Sequence, residues 1–207
     1  MKSQSRLLAA AAVALAVALG SAPAHAAATY VVDLAHSDVS FQIRHLMSKV
    51  RGGFNEFSGT IVRDDENLAN ASVEFRIVAT SIDTRNESRD KHLRSEDFFD
   101  VAKFPEIAFK STKVEKVSDN QYRVTGQFSM HGVTKELVLP VSFEGEIKDP
   151  RGAVRAGFSV ATRINRKDFG MEWNRALDSG GYLLSDEVVV EVSIEAKQDE
   201  PAAAPAQ

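Results

Sequence analysis

The residues best equipped for chemistry fall in one stretch, Asp83 to Phe109 (DTRNESRDKHLRSEDFFDVAKFPEIAF). Asp83, Arg85, Glu87, Arg89, Asp90, Lys91, His92 and Arg94 crowd together there, ahead of the paired aromatics Phe98 and Phe99. A guanidinium among them could hold a phosphate bidentately, and His92 could act as a base. The same charges could instead form a solvated helix surface, whose exposed pairs contribute only about 0–1 kcal/mol each. No GxSxG surrounds Ser37, Ser81, Ser95 or Ser185, no cysteine is present, and no glycine-rich loop follows a strand pattern. Serine-hydrolase elbows, thiol nucleophiles, P-loops and dinucleotide fingerprints are therefore not expected. His36, His45, His92 and His131 make no HxH, HExxH or HxxxH pair, so the expectation is no metal, no cofactor and no catalytic residue. His45 continues the apolar face of Phe41 and Ile43, and His131 reads as a turn residue.

Strands must position these groups. Val39, Phe41 and Ile43 alternate with polar residues, and the same period of two runs through Val73 to Ala79, Ile107 to Phe109, Tyr122 to Met130, Leu137 to Ile147, Ala156 to Ile164 and Val188 to Ile194. Each run is a strand with one buried and one wet face. Asp64-Asp65-Glu66-Asn67, Ser118-Asp119-Asn120 and Asp149-Pro150-Arg151-Gly152 are turns by composition, and His131-Gly132-Val133 is a tight hairpin. Asp83 to Phe109 interrupts the series with a short helix capped at Asp83 or Thr84. Asn165 to Asp186, which holds the single tryptophan Trp173, reads as a loop around Gly170, Gly180 and Gly181. Eight or nine strands in sequential order hide their edges most simply in an up-and-down antiparallel barrel, with a two-sheet sandwich as the competing solution.

The N-terminus has the form of a Sec leader: Lys2 and Arg6, an apolar run from Leu7 to Leu19, and Ala24-His25-Ala26 as the cleavage site. The expected organisation is a leader over 1–26 cleaved after Ala26, one domain over 27–197, and a disordered Ala- and Pro-rich tail over 198–207. The expected location is the periplasm. Losing Lys2 and Arg6 takes the net charge from −4 to −6, which with no basic stripe argues against nucleic acid as a partner. No further segment is apolar enough to span a membrane, which leaves transient membrane contact.

The apolar faces are heavy in phenylalanine. They could fill a solid core, or line a barrel interior wide enough for one ligand, in which each buried CH₂ contributes up to about 0.8 kcal/mol.

Four strings in order carry a resemblance: VDLAHSDVSFQIRHLMSKVRGGFNEFSGTI (Val32 to Ile61), DTRNESRDKHLRSEDFFDVAKFPEIAFKST (Asp83 to Thr112), FSMHGVTKELVLPVSFEG (Phe128 to Gly145) and INRKDFGMEWN (Ile164 to Asn174). They resemble the YceI family over essentially all of Ala28 to Ala196. The resemblance implies a lipocalin-like, extended antiparallel β-barrel enclosing an apolar tunnel, a polyisoprenoid or similar long-chain lipid as ligand (an isoprenoid quinone or polyprenyl phosphate among them), and a homodimer. Family members are linked to stress, isoprenoid-quinone and lipid handling. On that reading the lipid tail lies among Phe41, Ile43, Phe75, Ile77, Phe128, Met130, Phe143 and Phe158, with Trp173 near one end. Its polar head meets Arg44, His45, Arg85, Asp90, His92 or Arg94. The rivals are a lipid-modifying enzyme with His45 or His92 as base, and a solid-barrel interaction module.

Overall fold

The computed structural model describes residues 27–199. The expected leader (1–26) and residues 200–207 of the expected tail lie outside them. Within the described residues the strand segments are β1 (Ala28–Val32), β2 (Asp38–His45), β3 (Ser48–Phe54), β4 (Phe57–Arg63), β5 (Ser72–Val78), β6 (Ile82–Asp83), β7 (Glu106–Ser118), β8 (Gln121–Met130), β9 (Val133–Lys148), β10 (Val154–Asn165) and β11 (Leu184–Gln198), with one helix, α1 (Glu87–Arg94).

Register shows that six of these segments are three bent strands. His45 lies opposite Ser48 and Ser40 opposite Gly53, and the same antiparallel hairpin continues with Val31 opposite Thr60 and Ala28 opposite Arg63. β1–β2 is thus one strand broken by the 3₁₀ turn Leu34–His36, and β3–β4 is one strand bent at Asn55-Glu56. β5 continues as β6 after the turn Ala79–Ser81, still on the β3–β4 strand: Phe57 opposite Ile77, then Phe54 opposite Ile82. Joined this way, the chain is an eight-stranded antiparallel barrel in sequential order, closed where β11 pairs with both β1 and β2. Closure hides the sheet edges everywhere except beside β6, which pairs with β3 alone.

The one departure from the meander lies between β6 and β7. Beyond Val78, which pairs with Glu106, the two strands part, and residues 84–105 with α1 fill the gap. Asn86 caps α1 by accepting from the Arg89 amide, two to three residues later than the cap expected from sequence. The His131-Gly132 hairpin takes positive φ at both residues, as the tight type I′ turn requires. Residues 166–183 form the expected loop: a 3₁₀ turn over Arg166–Phe169, then irregular chain pinned by an Ala176–Tyr182 bridge. Gln198, placed in the tail by sequence, closes β11 opposite Tyr30. No helix among the described residues is long and apolar enough to cross a membrane.

The two longest insertions, residues 84–105 and 166–183, lie at one end of the barrel together with the β2–β3 tip. The chain enters and leaves the barrel at the other end, where Arg155 bridges Asp33, Asp149 and Glu195 at 2.7, 3.0 and 2.6 Å. That clamp ties β10 to β11 and to the turn after β1, and hydrogen bonding to Arg155 holds Asp33 down at about 2.

Candidate functional site: an apolar chamber along the barrel axis

The inward faces of the strands do not meet. They enclose a cavity of about 580 Å³ running along the barrel. Its walls are the alternating apolar residues: Phe41 and Ile43 on β2, Phe75 and Ile77 on β5, Leu137 and Leu139 on β9, and Val188, Val190 and Val192 on β11.

Two glycines help keep this space open. Gly52 lies opposite Phe41 and Gly59 opposite Phe75. A Cβ at either would come within 2.6 Å of the facing ring. The rings therefore lie along the wall, over backbone, instead of projecting across the lumen.

The ends of the chamber are polar and differ in kind. At the terminal end Arg63, Asp64, Asp65 and Tyr122 contribute to the lining. Arg63 is ion-paired with Asp65 and Glu146 and stacks over Phe143 with 4.0 Å from Cζ to the ring centre. Burial pulls the Arg63 guanidinium pKa down, but the Asp65 carboxylate outweighs it and raises it. Tyr30 donates to Glu146 from a buried position, and its pKa is pushed up to about 12 by burial and then by that hydrogen bond.

At the insertion end the chamber is lined by His45, Ser48, Arg89, His92, Leu93, Phe98, Arg166, Trp173, Leu183 and Leu184. Arg89, His92 and Leu93 stand at i, i+3 and i+4 of α1, one face of the helix. His92 is boxed by Phe98 and Trp173, with ring centres 5.0 and 4.9 Å away, and its Nε2 lies 2.8 Å from Asp97. Both arginines are already engaged. Arg89 donates to the Thr84 hydroxyl and carbonyl at 2.7 and 2.8 Å. Arg166, only 3% exposed, donates to the carbonyls of Ser185, Met171 and Trp173 at 3.1, 2.5 and 2.9 Å, with Asp186 at 3.4 Å. Burial depresses its pKa. His45, by contrast, has no side-chain hydrogen bond among the described residues, and His92 uses only Nε2.

Of the residues assigned to the lipid tail by sequence, Phe41, Ile43, Phe75, Ile77, Phe128, Met130, Phe158 and Trp173 line the chamber, whereas Phe143 does not. Its ring packs on Phe158 (5.6 Å between centres) beneath Arg63, beside the irregularity that sets Phe143 opposite Phe158 and Gly145 opposite Gly157. Of the residues assigned to the head, His45 and His92 line it. Arg44 lies on the outer face of β2, Arg85 is exposed at a positive φ of 60°, and Arg94 donates to the carbonyls of Thr80 and Ile82. Asp90 is 6% exposed and accepts from the Thr84 amide and hydroxyl, so it anchors the turn into α1. Sequence reasoning counted Arg89 among the guanidiniums that could face a head group but did not carry it into the head assignment, and it did not single out Arg166. The signal for Arg89 was available: Leu93 is the only large apolar residue in α1 and marks its buried face, and Arg89 is one turn earlier.

Among the described residues one group could bring three potential metal ligands within 4.8 Å of one another: Asp33, His36 and Glu195. Arg155 bonds both carboxylates of the three, so Asp33 and Glu195 are already committed to an ion-pair cluster.

Closed sequential topology around an axial apolar chamber defines a barrel of the lipocalin-like kind, with space inside for a ligand. The chain belongs to the YceI-like domain family, whose model matches residues 30–196. A UPF0312 protein of Vibrio parahaemolyticus is 42% identical over 161 residues, covering 76% of this chain and 83% of that one. A UPF0312 protein of Pseudomonas savastanoi is 41% identical over 165 residues, covering 78% and 86%. The crystal structure of the Campylobacter jejuni YceI protein matches with a TM-score of 0.64 at 32% identity, covering 82% of this chain and 97% of that one. A Saccharophagus degradans structure described as a polyisoprenoid binding domain matches in fold, with a TM-score of 0.64 at 16% identity over 82% and 98% of the two chains.

Proposed function

We propose that this protein is a non-catalytic periplasmic carrier that holds one long-chain isoprenoid lipid in the barrel chamber, its tail along the axis and its head at the insertion end. The observation that carries the reading is the chamber itself: about 580 Å³ of almost wholly apolar space, where a solid barrel would have interdigitating side chains. The polyisoprenoid description of the Saccharophagus degradans relative supports the ligand class. At roughly 30 Å³ per water-sized group the space takes about 20 heavy atoms. The periplasmic address follows from the leader-like N-terminus, and pairing as a homodimer from the family resemblance.

The head is a neutral hydrogen-bonding group, such as a quinone, phenol or alcohol. A phosphate inside the chamber would need a cation in its lining, and the two guanidiniums that line the insertion end, Arg89 and Arg166, are bonded to the carbonyls of Thr84, Met171 and Trp173. The groups with spare capacity are the imidazoles of His45 and His92, which can give or take a hydrogen bond without carrying charge. Ser48, opposite His45 across the tip, is not aligned as a nucleophile on that imidazole, because its Oγ donates to the His45 carbonyl.

Native mass spectrometry of the protein purified from its own periplasm, followed by organic extraction, tests the reading. A stoichiometric neutral isoprenoid is the expected result. A clean apo mass that does not change on incubation with quinones and polyprenols would sink it.

A further inference from the structure

The β2–β3 hairpin ends in Leu46-Met47, and both residues are exposed, Met47 completely. A two-residue turn with positive φ at its first position favours glycine there. Here the residue is leucine, held at φ 51°, an uncommon backbone state for a bulky side chain. Among the described residues, the most exposed large apolar side chain, Met47, therefore sits on a strained tip. His45 and Ser48, the residues on either side of the tip, line the chamber. The Leu46 amide donates to the Leu183 carbonyl at 2.9 Å, which ties the tip to the loop bearing exposed Tyr182.

The two arms of this hairpin are positively charged in an acidic protein. From Arg44 to Arg51 (RHLMSKVR) there are three cations and no acid. Arg44, Lys49 and Arg51 are all exposed, and none has an ion-pair partner among the described residues. Cations around a protruding apolar tip, with a nearby tyrosine, match an anionic bilayer surface: phosphates outside, hydrocarbon within. They do not match a second copy of this chain, since a two-fold contact through the tip would bring the same cations together.

We propose that Leu46-Met47 is a docking wedge that seats the chamber mouth on an anionic lipid bilayer, so that a lipid passes between membrane and barrel beside His45. This extends the carrier reading, and its test is separate: vesicle binding can fail while lipid still copurifies, and can succeed while none does.

The test is flotation of the purified protein with vesicles containing phosphatidylglycerol, against vesicles of phosphatidylcholine alone. Wild type is expected to float with the first, less so as salt rises, and not with the second. Met47→Ser is expected to reduce partitioning at least tenfold. Lys49→Gln and Arg51→Gln are expected to reduce it about fivefold each, the effect of one cation near an anionic surface. Leu46→Gly guards against misfolding, because glycine suits the positive φ: it should keep or raise the melting temperature while losing partitioning. The proposal is overturned if wild type ignores anionic vesicles, if Met47→Ser and Leu46→Gly partition like wild type, or if Met47→Ser dissociates a solution dimer, which would put the tip between two copies.

Discussion

Val190→Trp separates a carrier chamber from a packed core. Val190 lies midway along β11, opposite Phe41 on one side and Thr162 on the other, with its side chain facing the cavity. The substitution adds about seven heavy atoms, on the order of a third of the roughly 20 that the chamber holds. A series of isoprenoid alcohols of increasing length, titrated by calorimetry, reads the consequence. For wild type, affinity should strengthen with each isoprene unit, by at most ~4 kcal/mol from its five carbons at ~0.8 kcal/mol each, and flatten at about four units once the chamber is full. In Val190→Trp the initial slope should persist, but the plateau should arrive about one unit earlier. The longest chains should then bind ~3–4 kcal/mol more weakly, a factor of roughly 10²–10³. The indole enters empty space, so the fold should not suffer. If the lumen were filled, the same change would overpack it and cost ~1–3 kcal/mol of stability. A destabilised variant combined with no dependence of wild-type affinity on chain length would refute the chamber argument.

Other expectations follow from the same geometry. Arg166→Met should lower stability by about 1–3 kcal/mol, because the carbonyls of Met171, Trp173 and Ser185 lose their donor; amide exchange should quicken in residues 171–185 above all. Gly59→Ala puts a Cβ 2.6 Å from Phe75 and 2.9 Å from the Glu74 carbonyl. It should cost about 1–3 kcal/mol in a chemical melt and, by tipping the ring inward, shorten the longest alcohol that binds. His45→Ala and His92→Ala should each weaken a quinone-headed isoprenoid by ~1 kcal/mol and leave a headless hydrocarbon of equal length unaffected; equal losses for both ligands would dismiss the head assignment. Tyr30, with its pKa raised from 10.0 to about 12, contributes stability that is fully present below pH 10 and lost as pH rises through 12. Subtracting the Tyr30→Phe stability profile from wild type should isolate that alkaline loss, about 2–3 kcal/mol, and a flat difference would contradict it.

The barrel was legible because period-two alternation reports which face of each strand is buried, and sequential turns leave little choice of order. What alternation does not report is whether an inward side chain meets another side chain or open space. Phe41, Ile43 and Val190 would read the same in a solid core. Their partial exposure in the fold is exposure to the chamber. The clue to the space lies across the strand pair: a phenylalanine opposite a glycine can lie flat, and Phe41–Gly52 and Phe75–Gly59 are such pairs. The polar residues were harder for a different reason. In a short helix one residue turns a side chain by about 100°, so moving the cap from Asp83 or Thr84 to Asn86 changes which arginine faces in. It turns Arg89 and His92 toward the chamber and leaves Asp90 and Arg94 to brace the turn. Arg166 lies outside any period, in a 3₁₀ turn, where neither burial nor partners can be read from spacing.

The two arginines also bear on how an apolar chamber can sit behind a charged insertion. A guanidinium at the mouth of a hydrophobic cavity would draw in water or anions if its donors were free. Here each is bound to backbone oxygens that lie outside regular strands and would otherwise lack partners: Thr84 before the α1 cap, and Met171 and Trp173 in the long loop. One set of bonds therefore does two things. It satisfies the carbonyls of segments that have left the β-ladder, and it occupies guanidinium donors that would otherwise compete for the ligand. The shell then supplies the stability, through ladder closure at β11, the Arg155 clamp and the carbonyl-bound arginines, and the lumen need not be filled to hold the fold. A bound lipid adds to that stability by mass action.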